Sequence, residues 1–571
     1  MMHEAFSQHP ITLEIIPVNI DSNKVSLRKP SHLVYDKSFA SAFQGKTYLK
    51  SFLLSRFENG FITARIDSIV EDSMNLKAYY FQGDKYELNS LSKGNISNDI
   101  IRESGVAKLI KDKKVFSQKH LATVFEKTIK WAENNGYPFA EIALDSISID
   151  SNKIDASLQL TLNKKITIDS LVFKNKLKIA PSYIYHLLGI KPGDIYNEKL
   201  IKSIAKRISE SQFLKEIKDV ETGFYNSEAT LYLYLDKQKN NQFDGILGLL
   251  PNNVSTGKIM VTGDVRLKLV NVFGRAEQID LNWRKLELSS QDLRLGFNYP
   301  YLFNTAFGID FNFTLYKKDT LYLNLNTKFG IQYLFTPNHW MKAVYQNRSS
   351  SMLSSTGFEH ALQLPSYLDF STDMYGLEYH ISALDYYFNP TKGYSINANA
   401  SGGTRKIKKN PSVNAVLYDS LKLQTSVFDG SLDVSFFQPL LKRTTLLIRS
   451  SSSKIFNNNI LENEQFRIGG LKSLKGFDEE SIVASAYSIL NVEFRYLLDQ
   501  NSYLGLYWNG AYYEGTTAGK LKHDLPWGIG AGLSFETRAG IFSVYYSLGA
   551  ENNSSLSIKN SKIHFGLVSL F

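Results

Sequence analysis

From Phe243 to Phe571 the chain repeats one pattern: segments of about ten residues in which apolar and polar side chains alternate. Leu321, Leu323, Leu325, Phe329, Ile331, Tyr333 and Phe335 share one parity, while Tyr322, Asn324, Asn326, Lys328, Gly330 and Gln332 take the other. Leu293, Leu295, Phe297 and Tyr299 likewise oppose Asp292, Arg294, Gly296 and Asn298. Leu490, Val492, Phe494 and Tyr496 oppose Asn491, Glu493 and Arg495. Side chains alternate across a strand, so each segment reads as a strand with one apolar face. About sixteen such segments follow one another, each near the length that crosses a bilayer as a tilted strand. A large soluble sandwich would show the same alternation with its apolar face inward. Two features favour a membrane barrel. So many antiparallel strands of this length rarely stay in one open soluble sheet. The polar parity also carries glycines and opposite charges, such as Asp264 with Arg266, as a wet lumen would. Tyr and Phe at strand ends fit interfacial girdles. No run of eighteen apolar residues exists, so no transmembrane helix is expected. The expectation for residues 242–571 is a membrane β-barrel of about 16 antiparallel strands, with long loops at 349–370, 402–417 and 456–484.

Before residue 242 the periodicity is different. Residues 10–84, 85–164 and 165–238 repeat the order strand, helix, helix, strand, strand. The first unit is expected to have a strand at 11–16, a helix at 39–57 and strands at 61–70 and 75–81, joined by Glu71-Asp72-Ser73. The second has a strand at 86–91, helices at 98–109 and 117–134, and strands at 140–149 and 153–162. The third has a strand at 166–173, helices at 181–188 and 198–213, and strands at 219–224 and 228–235. Each is a small α+β module, helices on a three-stranded sheet.

Composition excludes more than it assigns. There is no cysteine, so neither a disulfide nor a thiolate metal site is possible. The net charge of +10 is spread along the chain, with no block suggesting a nucleic-acid arm. The ten histidines show no metal spacing, and His564 reads as a lumen or rim residue. Gly528-Ile529-Gly530-Ala531-Gly532 superficially resembles a dinucleotide loop, but it lies within a strand with its glycines on the inward parity. No catalytic constellation, cofactor site or metal site is expected. The N-terminus, MMHEAFSQHPITLEIIP, lacks a basic n-region and an apolar h-region, so no secretory signal is visible. A protein bound for the outer membrane needs one. The sequence therefore starts after a removed signal, has a misplaced start, or belongs elsewhere.

The longest loop holds the stretch Phe466-Arg467-Ile468-Gly469-Gly470-Leu471-Lys472-Ser473-Leu474-Lys475-Gly476-Phe477, a poor strand and a poor helix. Its glycines open backbone conformations closed to other residues. Alone, it could be an ordinary Gly-rich hairpin loop. The stretch resembles the sixth extracellular loop of the BamA/TamA superfamily of outer-membrane assembly and translocation barrels. There a Gly-Gly pair precedes a Val-Arg-Gly-Phe/Tyr tetrad folded back into the lumen. Here Gly469 and Gly470 precede Leu474-Lys475-Gly476-Phe477, with lysine in place of the family arginine. Asn491-Val492-Glu493-Phe494-Arg495 is similar to the family strand whose inward glutamate lies near that arginine. Trp527 to Leu548 is similar to the family's penultimate hairpin. Where the family often has aspartate in an aromatic-Asp-x-Gly turn, this chain reads Trp508-Asn509-Gly510. The N-terminal units resemble POTRA modules, and three of them before a bacterial surface antigen barrel is similar to the TamA layout.

The resemblance implies that Lys475 points into the lumen and pairs with Glu493, with Asn509 nearby. It implies that outward Phe565 and terminal Phe571 belong to the last-strand signal by which such barrels are recognised. The barrel must close between its first strand, 243–250, and its last, 563–571. Gly245, Gly248 and Gly566 weaken that junction, and Pro251 limits pairing at the end of the first strand. Leu247 and Leu567 are expected to line a gate that opens sideways. The implied role is non-enzymatic: periplasmic modules receive unfolded outer-membrane clients, and the barrel inserts them. Outer-membrane lipid is a further partner, as are periplasmic chaperones or accessory lipoproteins; nucleic acid is not. The alternatives are a two-partner-secretion exporter of the same superfamily and a passive porin-like channel.

Overall fold

The computed structural model describes residues 10–21, 24–27, 35, 37–72, 74–111, 118–211, 213–251, 259–285, 290–354, 358, 363–517, 520–537, 540–551 and 556–569. They form two compact units. One comprises the described residues up to Leu171 with Pro192–Lys202 and Thr222–Leu231. The other comprises Val172–Lys191, Ser203–Glu221 and Tyr232 onward.

Three small sheets precede the barrel. The first has five strands instead of three: Ile11–Asp21 pairs in parallel with Asn75–Phe81 and antiparallel with Lys24–Leu27 and Ser38–Phe39, and Asn75–Phe81 pairs antiparallel with Arg65–Glu71. Helix Ala42–Glu58 is capped by Ser41, whose hydroxyl accepts the Gln44 N–H. It buries Leu49 and Phe52 in the core formed with Leu13, Ile15, Leu76 and Tyr80. In the second, Glu87–Ser92 runs parallel to Lys153–Thr161, with Glu141–Asp150 on the other side. The helix expected at 98–109 is two helices, Asn98–Glu103 and Ala107–Lys111, because Gly105 between them is left-handed at φ 71°. The third sheet has the order Leu214–Tyr225, Glu228–Lys237, Thr167–Phe173. Helix Pro181–Leu188 starts on its proline and ends at left-handed Gly189. The expected helix at 198–213 is two short helices, Glu198–Lys202 and Ile204–Ser209, and the following strand begins at Leu214 instead of 219.

The barrel follows in chain order. Its first eight strands are Gln242–Pro251 (β1), Ile259–Val270 (β2), Gln278–Lys285 (β3), Gln291–Tyr299 (β4), Phe307–Lys318 (β5), Tyr322–Thr336 (β6), His339–Met352 (β7) and Phe370–Leu384 (β8). Gly393–Ile407 (β9), Gln424–Leu441 (β10), Thr444–Phe456 (β11), Ala486–Asp499 (β12) and Ser502–Thr517 (β13) continue it. β14 is interrupted: Lys520–Asp524 and Trp527–Thr537 flank Leu525 and Pro526, and both pieces pair with β13. Proline supplies no N–H to the ladder, so the strand breaks there. Gly540–Ala550 (β15) and Lys562–Val568 (β16) complete sixteen strands, each antiparallel to its neighbours.

The burial pattern is inside out relative to a soluble sheet. On β6, Phe329, Ile331, Tyr333 and Phe335 are exposed while Gln332 is buried. Lys342, Arg405, Glu493 and Asn509 are buried too, whereas Tyr375, Leu377, Leu506 and Phe565 face out. An apolar exterior around a polar interior fits lipid outside and water or polar partners inside. Among the described residues no helix is long and apolar enough to cross a membrane.

Several boundaries differ from the sequence reading: β7 runs to Met352, so the loop expected from 349 starts at 353. β3, expected by alternation from 274, starts only at Gln278, because Asn271, Gly274 and Ala276 are left-handed and the Glu277 carboxylate accepts the Phe273 and Arg275 N–H groups. β9 persists to Ile407, so the loop expected at 402 begins at 408. β10 starts only at Gln424, after a turn at Ala415–Ser420.

Candidate functional site: the lumen loop and the barrel seam

The connection between β11 and β12 enters the lumen as a short hairpin, Phe466–Ile468 paired with Ile482–Ala484. The sequence reading gave this stretch no strand. Beyond it Gly469 and Gly470, at φ 120° and 91°, turn the chain, and the Gly470 N–H donates to the Leu474 carbonyl. Leu474 is fully buried with Ile468, Ile489, Ala511 and Tyr513, and Phe477 packs against that cluster. Gly476 has φ 99°, and a Cβ there would sit 2.9 Å from the Gly549 Cα. The facing wall is equally bare: a Cβ at Gly528 would come within 2.5 Å of the Lys475 carbonyl oxygen. The loop tip lies directly on the wall because neither side has a side chain between them.

Lys475 extends from this tip toward β12. Its Nζ is 3.3 Å from Glu493 Oε2, and Arg495 Nε donates to Glu493 Oε1 at 3.0 Å. The Tyr545 hydroxyl also donates to Oε1, at 3.3 Å. The ammonium lies 4.4 Å and 4.9 Å from the ring centres of Tyr507 and Tyr545, so aromatic faces supply part of its solvation. Asn509 Nδ2 donates to the Lys475 backbone carbonyl at 3.2 Å. One carboxylate thus balances two cations in a site where Glu493 is 1% exposed and Asn509 0%. Exposed ion pairs contribute ~0–1 kcal/mol, whereas removing one member of a buried pair costs ~3–5 kcal/mol.

A second cluster centres on Glu480. Its carboxylate meets Arg284 of β3, Arg294 of β4 at 3.5 Å and Arg467 of the loop hairpin at 3.1 Å. Asp292 shares Arg294 at 2.6 Å and Arg284 at 3.7 Å. Arg467 also lies over the Tyr316 ring. Beside the loop is a cavity of about 740 Å³, lined by Asp244, Arg266, Lys472, Tyr545 and Gly566 among others.

β1 and β16 come together without a ladder among the described residues. The Phe243 N–H donates to the Ser569 carbonyl at 3.3 Å, and the Ser569 N–H donates to Asp244 Oδ1 at 2.7 Å. These bonds join one end of the strands. Gly245, Leu247 and Gly248 pair with Val265, Gly263 and Thr262 of β2, and Gly566 and Leu567 pair with Ser543 and Phe542 of β15. Phe565 faces out, 73% exposed, and Phe571 lies outside the described residues.

Several contacts were not anticipated. Arg495 shares the inward parity of Glu493, so alternation could have placed it there. The three tyrosines and Glu480 carry no comparable signal, since their neighbours are set by inter-strand register and by the path of the loop. His564, read as a lumen or rim residue, accepts the Gly476 N–H through Nε2 at 3.3 Å. Among the described residues no group of His, Asp and Glu could hold a metal ion.

Comparison with known proteins places this architecture. CdiB from Escherichia coli is similar with a TM-score of 0.54 and 14% identity, covering 93% of this chain and 98% of that one. CdiB from Acinetobacter baumannii gives 0.50 and 14%, covering 85% and 90%. The structure of BamA from Haemophilus ducreyi lacking POTRA domains 1–3 gives 0.48 and 13%, covering 85% and 100%. At these identities the likeness is one of fold. No curated protein matches the chain. The Omp85 superfamily domain matches residues 271–571, more than half of the sequence, and the chain therefore belongs to the Omp85 superfamily.

Proposed function

We propose that this protein is an outer-membrane assembly factor. Residues 10–84, 85–164 and 165–238 act as three POTRA-like periplasmic modules that receive unfolded outer-membrane proteins, with chaperones or accessory lipoproteins as delivery partners. Residues 242–571 insert those clients through the seam between β1 and β16. The observation that carries this reading is the seam itself. Neighbouring strands elsewhere share ladders such as the fourteen-residue β6–β7 pairing, while among the described residues β1 meets the end of β16 through one backbone bond and one bond to a carboxylate. An unpaired strand edge is an aggregation hazard in a soluble protein. Facing lipid, it is a template on which a client strand can satisfy its backbone groups. No cofactor is required, because strand pairing and burial of the client's apolar face in the bilayer supply the free energy.

The exporter reading draws on the cavity beside the loop, which could enlarge into a path through the lumen. The two are separable. Cysteine pairs between β1 and β16 around Leu247 and Leu567, at several registers, should crosslink readily, since the chain has no other thiol. Proteoliposomes carrying the locked barrel should fail to insert a urea-denatured outer-membrane barrel while keeping heat-modifiable mobility. Full insertion by the locked protein would reject the lateral route and leave the exporter.

A further inference from the structure

The lumen loop reaches both sides of the seam within the segment Gly476 to Glu480. On one side Glu480 is held by Arg284 of β3 and Arg294 of β4. On the other, Lys562 Nζ of β16 is 2.8 Å from an Asp478 carboxylate oxygen, and His564 Nε2 accepts the Gly476 N–H. Gly566, the next inward position of β16, faces the same loop, since a Cβ there would lie 3.3 Å from Leu471. Thus 562, 564 and 566 all meet the loop, while among the described residues the wall beside them is joined to β1 at Ser569 alone.

We propose that Gly476–Glu480 is a tether across the seam, fixed at Glu480 and released at its β16 end, so that Lys562 and His564 are positioning residues that limit how far the seam opens. This deepens the lateral-seam reading and rests on it. The reach of the tether sets the limit. Four Cα steps span at most ~14 Å, about the width of wall that β1 and β2 already occupy between β16 and β3 at about 4.8 Å per strand spacing. With both ends held, the backbone has no length left for an added client strand, so continued insertion requires one end to let go. The β16 end is the weaker. Its ion pair leaves Lys562 36% and Asp478 69% exposed, whereas Glu480 and Arg284 are 23% and 20% exposed, with further arginines on the same carboxylate. A backbone N–H can only donate, so the His564 contact needs an unprotonated Nε2, which a glutamine oxygen could replace.

The test is amide hydrogen exchange across Lys562–Val568 in the full-length protein in lipid nanodiscs. Lys562→Ala should speed exchange there by a factor of up to about 5, the equivalent of ~1 kcal/mol for an exposed pair. Lys562→Ala with His564→Leu should speed it further, and His564→Gln should not. The charge exchange Asp478→Lys with Lys562→Asp should return exchange toward the parent rate. Crosslinking between cysteines at positions 243 and 569 should slow in step, with the heat-modifiability midpoint unchanged. Unaltered exchange in the double variant, or a charge exchange no better than its single members, would overturn the tether. Faster exchange with undiminished client insertion would keep the tether and count against lateral exit.

Discussion

At Glu493 two cations share one carboxylate, and this decides how substitutions there behave. Lys475→Ala leaves Arg495 in place, so the carboxylate is not orphaned and the loss should fall near or below the bottom of the ~3–5 kcal/mol range for breaking a buried pair. Glu493→Gln strips both cations of their counter-charge and should cost more. Lys475→Arg keeps the charge and can stack on Tyr507 and Tyr545, so it should retain most of the stability. Exchanging Lys475 and Glu493 should not restore it, because the new lysine would face Arg495. The measure is the temperature at which the barrel loses its compact electrophoretic form. If the exchange restores the parent value, Arg495 does not belong to the cluster. Lys475, Glu493 and Asn509 were legible from inward parity and from a resemblance in motif. Arg495 was legible in principle, but Glu480 was not: two of its three arginines come from strands far away in sequence, and nothing local to Glu480 names them.

Among the elements, strand identity was easier to read than strand ends. Alternation places the strands because it reflects which face meets lipid, and all sixteen were found. Their ends depend on turn chemistry, such as the left-handed residues Asn271, Gly274 and Ala276 or the break at Pro526, which a two-residue period cannot express. The hairpin between Arg65–Glu71 and Asn75–Phe81 offers a local test. Asp72 Oδ1 accepts the N–H groups of Met74 and Asn75, and these bonds hold its carboxyl below the usual aspartate range. A carboxyl depressed in the folded state contributes stability above its unfolded value and loses it as pH falls through the folded one. With the seven methionines methyl-labelled, the Met74 signal should shift with a midpoint below the ~3.9 of free aspartate. Asp72→Asn should remove that transition; a midpoint at or above the free value would mean that the turn bonds do not form.

For the whole molecule, the compact unit containing the barrel also takes in Val172–Lys191 and Ser203–Glu221. The contacts are specific: the Ala180 N–H donates to the Gly274 carbonyl, His186 stacks on Tyr301, and His186 Nε2 bonds the Asn304 carbonyl. Brief proteolysis in detergent should therefore leave a heat-modifiable fragment that begins before residue 180. A fragment starting near 240 would mean that the third sheet is held no more firmly than the first two. Sequence periodicity separates helical from strand-only regions, but it cannot show which helices the barrel turns will grip. The path of the loop has one further consequence, for the order of folding. Glu480 binds Arg284 and Arg294, 196 and 186 residues earlier, while its near neighbours bind β16 across separations of 84 and 88 residues. Contacts so distant in sequence cannot form until all sixteen strands are present, and closing them is slow. The loop can reach its place only as the ring comes round, so its docking marks the last step of maturation, and a chain stalled earlier would expose its polar interior to the bilayer.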